Sequence, residues 1–264
     1  MEQPSSVSDS DANPAPPGYL RLTVNGRYAV ACEWAVPVIR DLLSKSTLHD
    51  WAAAQTYHDQ MHGRGVNYGV TLPAGSGPYE STAVVVRRNR HGGIFRSITG
   101  EFFRPPTRAP LELANALRLA SAGVNTPQVI AYATYPAFMN LVRCDVVTRR
   151  LPTGGDFPDV WRNADTSARK ELLAAVANLL KHLADAGAWH ADLNLKNIYI
   201  ALQGSSITPY VLDVDRVSFT DYSDIAERNF SRLARSARKW RTSRGLDFDE
   251  NAIARLAALS REKT

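Results

Sequence analysis

Apolar residues recur along this chain with two different periods, which predict strands mainly in its first half and long helices in its second half. Tyr19–Val24 and Arg27–Cys32 alternate between apolar and polar positions on either side of Asn25-Gly26. Asn-Gly is the dipeptide that most favours a two-residue turn between antiparallel strands. The chain is therefore expected to begin its folded part with a β-hairpin.

Helical spacing follows the hairpin in two segments, Val36–Leu43 and Leu48–Met61, with Thr47 as the N-cap of the second. The β-branched run Thr82–Val86 predicts a strand. Thr107–Ala122 predicts a helix that Gly123 and Pro127 end, because neither residue continues a helix easily.

The pattern then predicts two strands, Val129–Thr134 and Ala137–Val147, joined at Tyr135-Pro136. Ala168–Ala186 has the clearest helical period in the chain. Its apolar residues are expected to be buried, and they are Leu172, Leu173, Val176, Leu179, Leu180 and Leu183.

A last hairpin is expected from Asn197–Leu202 and Pro209–Leu212, and a helical region from about residue 228 to 244. Residues 1–17 are rich in Ser, Asp, Pro and Ala without periodicity, which predicts a disordered tail. Together these elements predict an α+β fold with two lobes. Residues 18–148 would form a β-rich N-lobe and residues 149–264 a mainly helical C-lobe, with a hinge at Thr148–Gly155.

The first part of the N-lobe, up to about residue 72, contains no motif that suggests chemistry, and it is expected to brace the strands that follow.

The strongest chemical motif lies between the leucine-rich helix and the last hairpin. There, His190-Ala191-Asp192-Leu193 is followed by Asn197, five residues after the Asp. This is the layout of a kinase catalytic loop, in which the Asp accepts the proton of the substrate hydroxyl and the Asn holds a metal ion.

A second carboxylate is expected to join this loop. Asp213 follows the second strand of the last hairpin, 21 positions after Asp192, and the hairpin returns the chain to the same place. Asp213 and Asn197 would supply oxygen ligands to a magnesium ion bound to ATP. A turn-capping Asp is the plain structural alternative. Asp215 is left open between a second metal ligand and an ion pair with Arg216.

Groups that would bind phosphate precede the loop. Gly75 and Gly77 form a Gly-x-Gly turn whose backbone could approach phosphate oxygens, although an ordinary loop would look the same. Arg87 stands where a kinase has its phosphate-binding Lys, at the end of a strand, and Glu112 would orient it from the following helix. Alternatively, Arg87 and Arg88 are solvated arginines of an edge strand, an explanation favoured for Arg88.

Composition limits the remaining possibilities. The chain has 264 residues, 31 basic against 26 acidic, and a formal net charge of +5, which favours an anionic partner. No pattern of basic and aromatic residues suggests a nucleic-acid site, so no nucleic acid is expected. Cys32 and Cys144 are too few for a disulfide framework and are expected to be buried thiols. Neither a signal peptide nor a membrane-spanning run is apparent, so a cytoplasmic location is expected.

The last helical region has a basic stripe, formed by Arg228, Arg232, Arg235 and Lys239. A solvated helix face would explain it. The functional alternative is attraction to an anionic membrane surface, where each Lys or Arg contributes on the order of 1 kcal/mol.

With these residues in place, the chain resembles the 3-deoxy-D-manno-octulosonic acid (Kdo) kinases, which belong to the lipopolysaccharide kinases with a protein-kinase-like fold. The resemblance extends from about Gly75 to the end, and the Asp-Leu-Asn form of the loop is its most specific feature. The matching segments are Arg87 to Gly93, Thr107 to Ala109 with Glu112, Gly123 to Pro127, His190 to Ile198, Leu212 to Arg216 and Arg228 to Ser236.

The resemblance implies transfer of the γ-phosphate of ATP to the 4-hydroxyl of Kdo on lipid A, by a peripheral protein on the cytoplasmic face of a bacterial inner membrane. It implies that Asp192 is the base, that Asn197 and Asp213 hold Mg²⁺, and that Arg87 with Glu112 positions phosphate. Val214, where the family usually has Phe, is a departure. A kinase for another core sugar or small hydroxyl substrate, and an inactive pseudokinase that binds partners, remain the alternatives.

Overall fold

The computed structural model describes residues 15–56, 58–62, 65–73, 81–90, 100–204 and 206–262. Its first half is built on one antiparallel sheet, whose strands are β1 (Tyr19–Val24), β2 (Arg27–Cys32), β3 (Asp59–His62), β4 (Val66–Leu72), β5 (Thr82–Arg88), β6 (Val129–Pro136) and β7 (Val142–Arg149). The strand order is β1-β2-β6-β7-β5-β4-β3. The segment before residue 72 thus adds strands to both edges of the sheet and flanks the strands expected to carry chemistry.

Helices pack against this sheet, namely α1 (Val36–Lys45), α2 (Leu48–Ala53) and α3 (Ala109–Ser121). Short 3-10 turns lie at Glu33–Ala35 and Phe138–Asn140. The first hairpin forms as predicted, because Asn25 (φ 49°) and Gly26 (φ 73°) both take the left-handed conformation that a tight two-residue turn needs. Thr47 caps α2 as predicted, since its side chain accepts a hydrogen bond from the Asp50 N–H at 3.1 Å.

The second half is mainly helical. Its elements are β8 (Gly154–Asp156), α4 (Phe157–Asn163), α5 (Thr166–Asp185), β9 (Ala188–His190), β10 (Ile198–Gln203), β11 (Ser206–Val211), β12 (Val217–Phe219), α6 (Ile225–Arg244) and α7 (Glu250–Arg261). Short 3-10 turns occupy Leu195–Asn197 and Val214–Arg216. The small sheets have the orders β11-β10-β8 and β12-β9. The fold is therefore α+β with two lobes, and the chain crosses between them at residues 150–153.

The leucine-rich helix forms the core of the second lobe. Each of its six predicted apolar residues is at most 3% exposed, and burying one such side chain contributes roughly 1.5–3 kcal/mol. Cys32 and Cys144 are buried free thiols, as expected. Among the described residues, no helix has both the length and the apolar character needed to cross a membrane.

Two predicted elements are wrong. Leu48–Met61 is not one helix, because the helix stops at Ala53 and Asp59–His62 form a strand that pairs with β4. Backbone pairing at the sheet edge outweighs the helical period there. The connection between β6 and β7 lies at residues 137–141 instead of Tyr135-Pro136, which are the last residues of β6. Residues 1–14 of the predicted tail lie outside the described residues.

Candidate active site

Hydrogen bonds within the loop after β9 fix the position of Asp192. The Asp192 carbonyl oxygen accepts one bond from Asn194 Nδ2 at 3.0 Å and another from Asn197 Nδ2 at 2.9 Å. Asn194 Oδ1 also caps the next turn by accepting from the Lys196 N–H at 3.0 Å. Because Asn197 Nδ2 makes this hydrogen bond, the side-chain oxygen Oδ1 of Asn197 is the atom left to bind a ligand.

His190 supports the loop from below and is fully buried. Its Nδ1 lies 3.2 Å from the Asp192 N–H, so Nδ1 accepts; Nε2, 3.0 Å from the Leu212 carbonyl, must then donate. Burial, the largest influence, lowers the pKa of His190, and nearby Asp213 and Asp192 oppose this only in part. A neutral His190 with a defined tautomer therefore ties the loop to the end of β11.

Helix α6 holds the same loop from a third direction. Asn229 is fully buried; its Oδ1 accepts from the His190 N–H at 3.0 Å, and its Nδ2 donates to the Ala188 carbonyl at 2.8 Å. Two turns further along, Ser236 Oγ accepts from the Leu195 N–H at 3.2 Å. Neither residue has a local pattern that predicts this role, although both belong to the segment Arg228 to Ser236 that resembles the Kdo kinases.

Arg87 and Glu112 form the ion pair that the sequence predicted. The Arg87 Nη2 atom contacts Glu112 Oε1, and Arg87 Nη1 lies 3.2 Å from Asn89 Oδ1. Burial lowers the pKa of Arg87, but the charge and the hydrogen bond of Glu112 outweigh it and raise the pKa. Asp213 and Asp215 add to the increase. The guanidinium thus stays charged in a half-buried position.

Helix α3 links this pair to the strand-end carboxylate. Three residues after Glu112, the buried Asn115 side chain donates through Nδ2 to the carbonyls of Val214 and Val217, at 2.8 Å each. Asp213 has the left-handed backbone (φ 53°, ψ 45°), an unusual conformation for a residue other than Gly. The Leu212 N–H donates to the Asn197 carbonyl at 2.8 Å, so the chain next to Asp213 lies beside Asn197.

These groups line one central cleft of about 480 Å³ between the lobes. Five of the seven predicted site residues contribute to its wall, namely Arg87, Glu112, Asp192, Asn197 and Asp213. Gly75 and Gly77 lie outside the described residues, on the connection between β4 and β5. Asp215 also lines the cleft; its carboxylate is nearer to Arg108 Nη1 (3.3 Å) than to Arg216 Nε (3.9 Å).

A second cavity of about 460 Å³, the hinge cavity, adjoins the central cleft. Its wall includes Leu151 at the hinge and Tyr199, whose hydroxyl donates to the Pro152 carbonyl at 2.7 Å. Arg87, Glu112 and Asp213 line both cavities. The two cavities are therefore neighbours that share a wall at the ion pair; the hinge cavity is the more apolar, and the central cleft reaches Asp192.

The expectation for Arg88 is wrong. β5 lies inside the sheet, between β7 and β4, and the Arg88 side chain is only 9% exposed. Its Nε donates to Asp145 at 3.0 Å, and its Nη2 donates to Thr47 and Asp50 on α2. Arg88 is a structural residue that attaches α2 to the sheet, with its charge compensated by the fully buried Asp145.

The donor set of the central cleft fits a nucleotide-bound magnesium ion. Within the described residues, no group of three or more His, Cys, Asp or Glu side chains could hold a metal ion. Asp213 and Asn197 offer two oxygen donors. Mg²⁺ bound to ATP takes few protein ligands, because phosphates and water complete its octahedral shell. Two oxygens beside a cationic Arg87 agree with that chemistry.

Comparison with known proteins gives a consistent result. A 3-deoxy-D-manno-octulosonic acid kinase from Vibrio cholerae is 26% identical over 205 residues, covering 76% of this chain and 82% of the relative. One with the same name from Haemophilus influenzae is 22% identical over 213 residues, covering 79% and 86%. The solved structure "WaaP in complex with acyl carrier protein" has a TM-score of 0.52 at 16% identity, with 89% of each chain covered, and supports the fold.

The sequence model of the lipopolysaccharide kinase (Kdo/WaaP) family matches residues 51–256, well over half of the chain. The match includes the loop from His190 to Asn197, as well as Arg87, Glu112 and Asp213. The chain therefore belongs to the lipopolysaccharide kinase (Kdo/WaaP) family and is a phosphotransferase that acts on a hydroxyl group.

Proposed function

We propose that the protein transfers the γ-phosphate of ATP to the 4-hydroxyl of Kdo on lipid A during synthesis of the lipopolysaccharide inner core. One observation carries the proposal: Asp192, Asn197, Asp213 and the Arg87–Glu112 pair all line a single cleft. The names of the relatives support the choice of Kdo as the acceptor sugar.

In this proposal, the hinge cavity takes the adenine and the central cleft takes the phosphates. Arg87, held by Glu112, binds phosphate oxygens through its planar guanidinium. Gly75 and Gly77 belong to the loop that would cover the phosphates. Asn197 and Asp213 would hold Mg²⁺, which, when bound, neutralises charge on the β- and γ-phosphates.

Asp192 acts on the other side of the transferred phosphate. Its side chain is 45% exposed at the opening of the cleft, so an acceptor hydroxyl has access to it. Its backbone is fixed by the two Asn side chains, which keeps the carboxylate in position to accept the hydroxyl proton. The acceptor is lipid-linked, so the protein works as a peripheral protein on the cytoplasmic face of the inner membrane.

The test is incubation with ATP, Mg²⁺ and Kdo-lipid A, with the product mass and the phosphorylated position determined. Transfer to the 4-hydroxyl supports the proposal. Transfer only to another core sugar, or no transfer to any hydroxyl acceptor, refutes it, and the latter would favour a pseudokinase.

The role of Asp192 is tested separately with Asp192→Ala. We expect kcat to fall about 10²- to 10⁴-fold while ATP binding is kept, because a general base acts mainly in the transition state. Asp221→Ala removes an exposed carboxylate elsewhere and serves as the control. Unchanged turnover in Asp192→Ala would remove Asp192 from the mechanism.

A further inference from the structure

A third cavity, of about 360 Å³, lies beside Asp192 and is called here the basic cavity. Its wall includes Asp192, Lys196 and one face of α6 with Arg232, Arg235, Lys239 and Arg244. Arg87 and Glu112 line the central cleft and do not line the basic cavity. Asp192, Asn194 and Lys196 line both spaces and therefore lie where the two meet. Arg87 and Glu112 are on one side of them, and the cations of α6 are on the other.

The arginines of α6 outside the basic cavity have acidic partners. Arg228 lies 2.8 Å from Asp224, while Arg238 and Arg241 lie 2.9 and 3.0 Å from Glu250. These pairs involve three of the seven cations on the helix. The other four, Arg232, Arg235, Lys239 and Arg244, line the basic cavity and leave the net positive charge of α6 on that face.

The cations of α6 that line the basic cavity have few partners, whereas Lys196 lies 3.5 Å from Asp156. Arg235, Lys239 and Arg244 have no carboxylate within 4.0 Å among the described residues, and the carboxylate nearest to Arg232 is Asp192, at 4.0 Å. The Arg232 Nε atom is buried and lacks a hydrogen-bond partner in the same part of the chain. Like charges one turn apart, as at 235 and 239, repel each other. A bound anion would relieve this repulsion.

The helix that carries these cations is rigidly connected to the catalytic loop. Asn229 and Ser236 bond the backbone on both sides of Asp192, and Arg232 lies between them on α6. The cations thus have fixed positions relative to the base, as the recognition of an acceptor requires. A stripe that only attracts a membrane would not need this connection.

We propose that the basic cavity is the acceptor subsite and that Arg232, Arg235 and Lys239 bind an anionic oxygen group of the acceptor sugar-lipid. This rests on the proposed function. The group is a carboxylate of the sugar acid or a phosphate of its lipid part. In Kdo the carboxylate lies within roughly 6 Å of the 4-hydroxyl, judged from covalent bond lengths. Arg232 Nη2 lies 4.0 Å from Asp192 Oδ1, so one sugar can reach both side chains.

The decisive experiment compares two charge-matched double variants of α6. Arg235→Gln/Lys239→Gln removes two cations from the basic cavity, and Arg238→Gln/Arg241→Gln removes two that pair with Glu250. With acceptor in neutral detergent micelles, we expect the first to raise KM for Kdo-lipid A roughly 10- to 100-fold and to leave KM for ATP unchanged. The control should stay within about 2-fold of the wild type. If the double variant folds poorly, Lys239→Gln alone, at an exposed position, should still raise KM for Kdo-lipid A and leave KM for ATP unchanged.

Altered acceptors identify the anionic group. If the cavity binds the carboxylate, an acceptor with the carboxylate as its methyl ester should lower kcat/KM of the wild type by about as much as Arg235→Gln/Lys239→Gln does, and should not lower kcat/KM of that variant further. If the cavity binds the phosphate, dephosphorylated acceptor lipid should have the same two effects. The inference is overturned if neither change affects the wild type. It is also overturned if Arg235→Gln/Lys239→Gln raises KM for Kdo-lipid A only on vesicles that contain anionic phospholipid and not in neutral micelles.

Failure of the proposed function is recognised separately. If the wild type does not phosphorylate Kdo-lipid A, the proposed function falls, and the cavity is tested by titration with free Kdo and with inorganic phosphate, followed by NMR. Binding that is weakened by Arg235→Gln/Lys239→Gln but not by Arg238→Gln/Arg241→Gln supports an anion subsite. Equal binding by all three proteins, or no binding, overturns it.

Discussion

Breaking the pair between Arg87 and Glu112 should affect both stability and nucleotide binding. At a charge separation of about 4 Å and an effective dielectric constant of about 20, the attraction is about 4 kcal/mol. The Arg87 side chain is 28% exposed and that of Glu112 is 10% exposed. Solvent screening and the cost of desolvation reduce the net coupling, and we expect a coupling free energy of about 1–3 kcal/mol.

The measurement is a double-mutant cycle with Arg87→Gln, Glu112→Gln and the double variant, followed by urea unfolding. Each single change should destabilise the protein, because it leaves the other charge partly buried and unpaired. The double variant should be less destabilised than the sum of the two. The control is the pair between Lys45 and Asp41, exposed by 67% and 57%, for which at most about 0.5 kcal/mol is expected.

The same variants test the link to function. Because Glu112 orients the guanidinium that is proposed to bind phosphate, Glu112→Gln should raise KM for ATP by about 10-fold, corresponding to about 1.4 kcal/mol. KM for the acceptor should change little. A coupling free energy no larger than that of the surface pair, or an unchanged KM for ATP, would refute the reasoning.

Three further predictions concern the support of the catalytic loop. Because the pKa of His190 is lowered by folding, the unfolded chain takes up a proton at a higher pH than the folded chain does. The stability that neutral His190 contributes is therefore complete above about pH 6.5 and decreases below it, by at most about 1.4 kcal/mol per pH unit. Between pH 5 and 7.5, the free energy of unfolding measured with urea should fall more steeply with decreasing pH in the wild type than in His190→Gln. Gly187→Ala should lower the free energy of unfolding by about 1–3 kcal/mol, because φ is +65° and a Cβ would lie 2.7 Å from the Thr220 carbonyl oxygen. The control Gly245→Ala has a similar φ of +63° but open space around the Cβ, and should lower it by only about 1 kcal/mol. Equal shifts of Tm in the two variants would contradict this prediction. Asn229→Leu should cost about 2–4 kcal/mol by leaving two buried backbone groups unpaired, and a loss below 1 kcal/mol by urea unfolding would show that water replaces the amide.

Local sequence patterns were sufficient wherever a short stretch determines its own conformation. Asn25-Gly26 specifies a tight turn, and the period of Leu172 to Leu183 specifies the buried face of α5, whatever the rest of the chain does. The spacing of Asp192, Asn197 and Asp213 predicted residues that share a cleft, because one hairpin returns the chain over a fixed distance.

Only the tertiary structure decided what each segment packs against. The spacing of Leu48–Met61 predicted one helix, yet Asp59–His62 form a strand that pairs with β4 at the edge of the sheet. In the sequence Arg88 is typical of an exposed strand residue, but in the structure its strand lies between two others and its side chain pairs with the buried Asp145. The basic residues of α6 have the same charge in sequence, but Glu250 neutralises two of them and the cavity beside Asp192 takes others. Periodicity states which face of an element is apolar or charged; the neighbour that the face meets is set by contacts between residues far apart in the chain, and these appear only when the chain has folded.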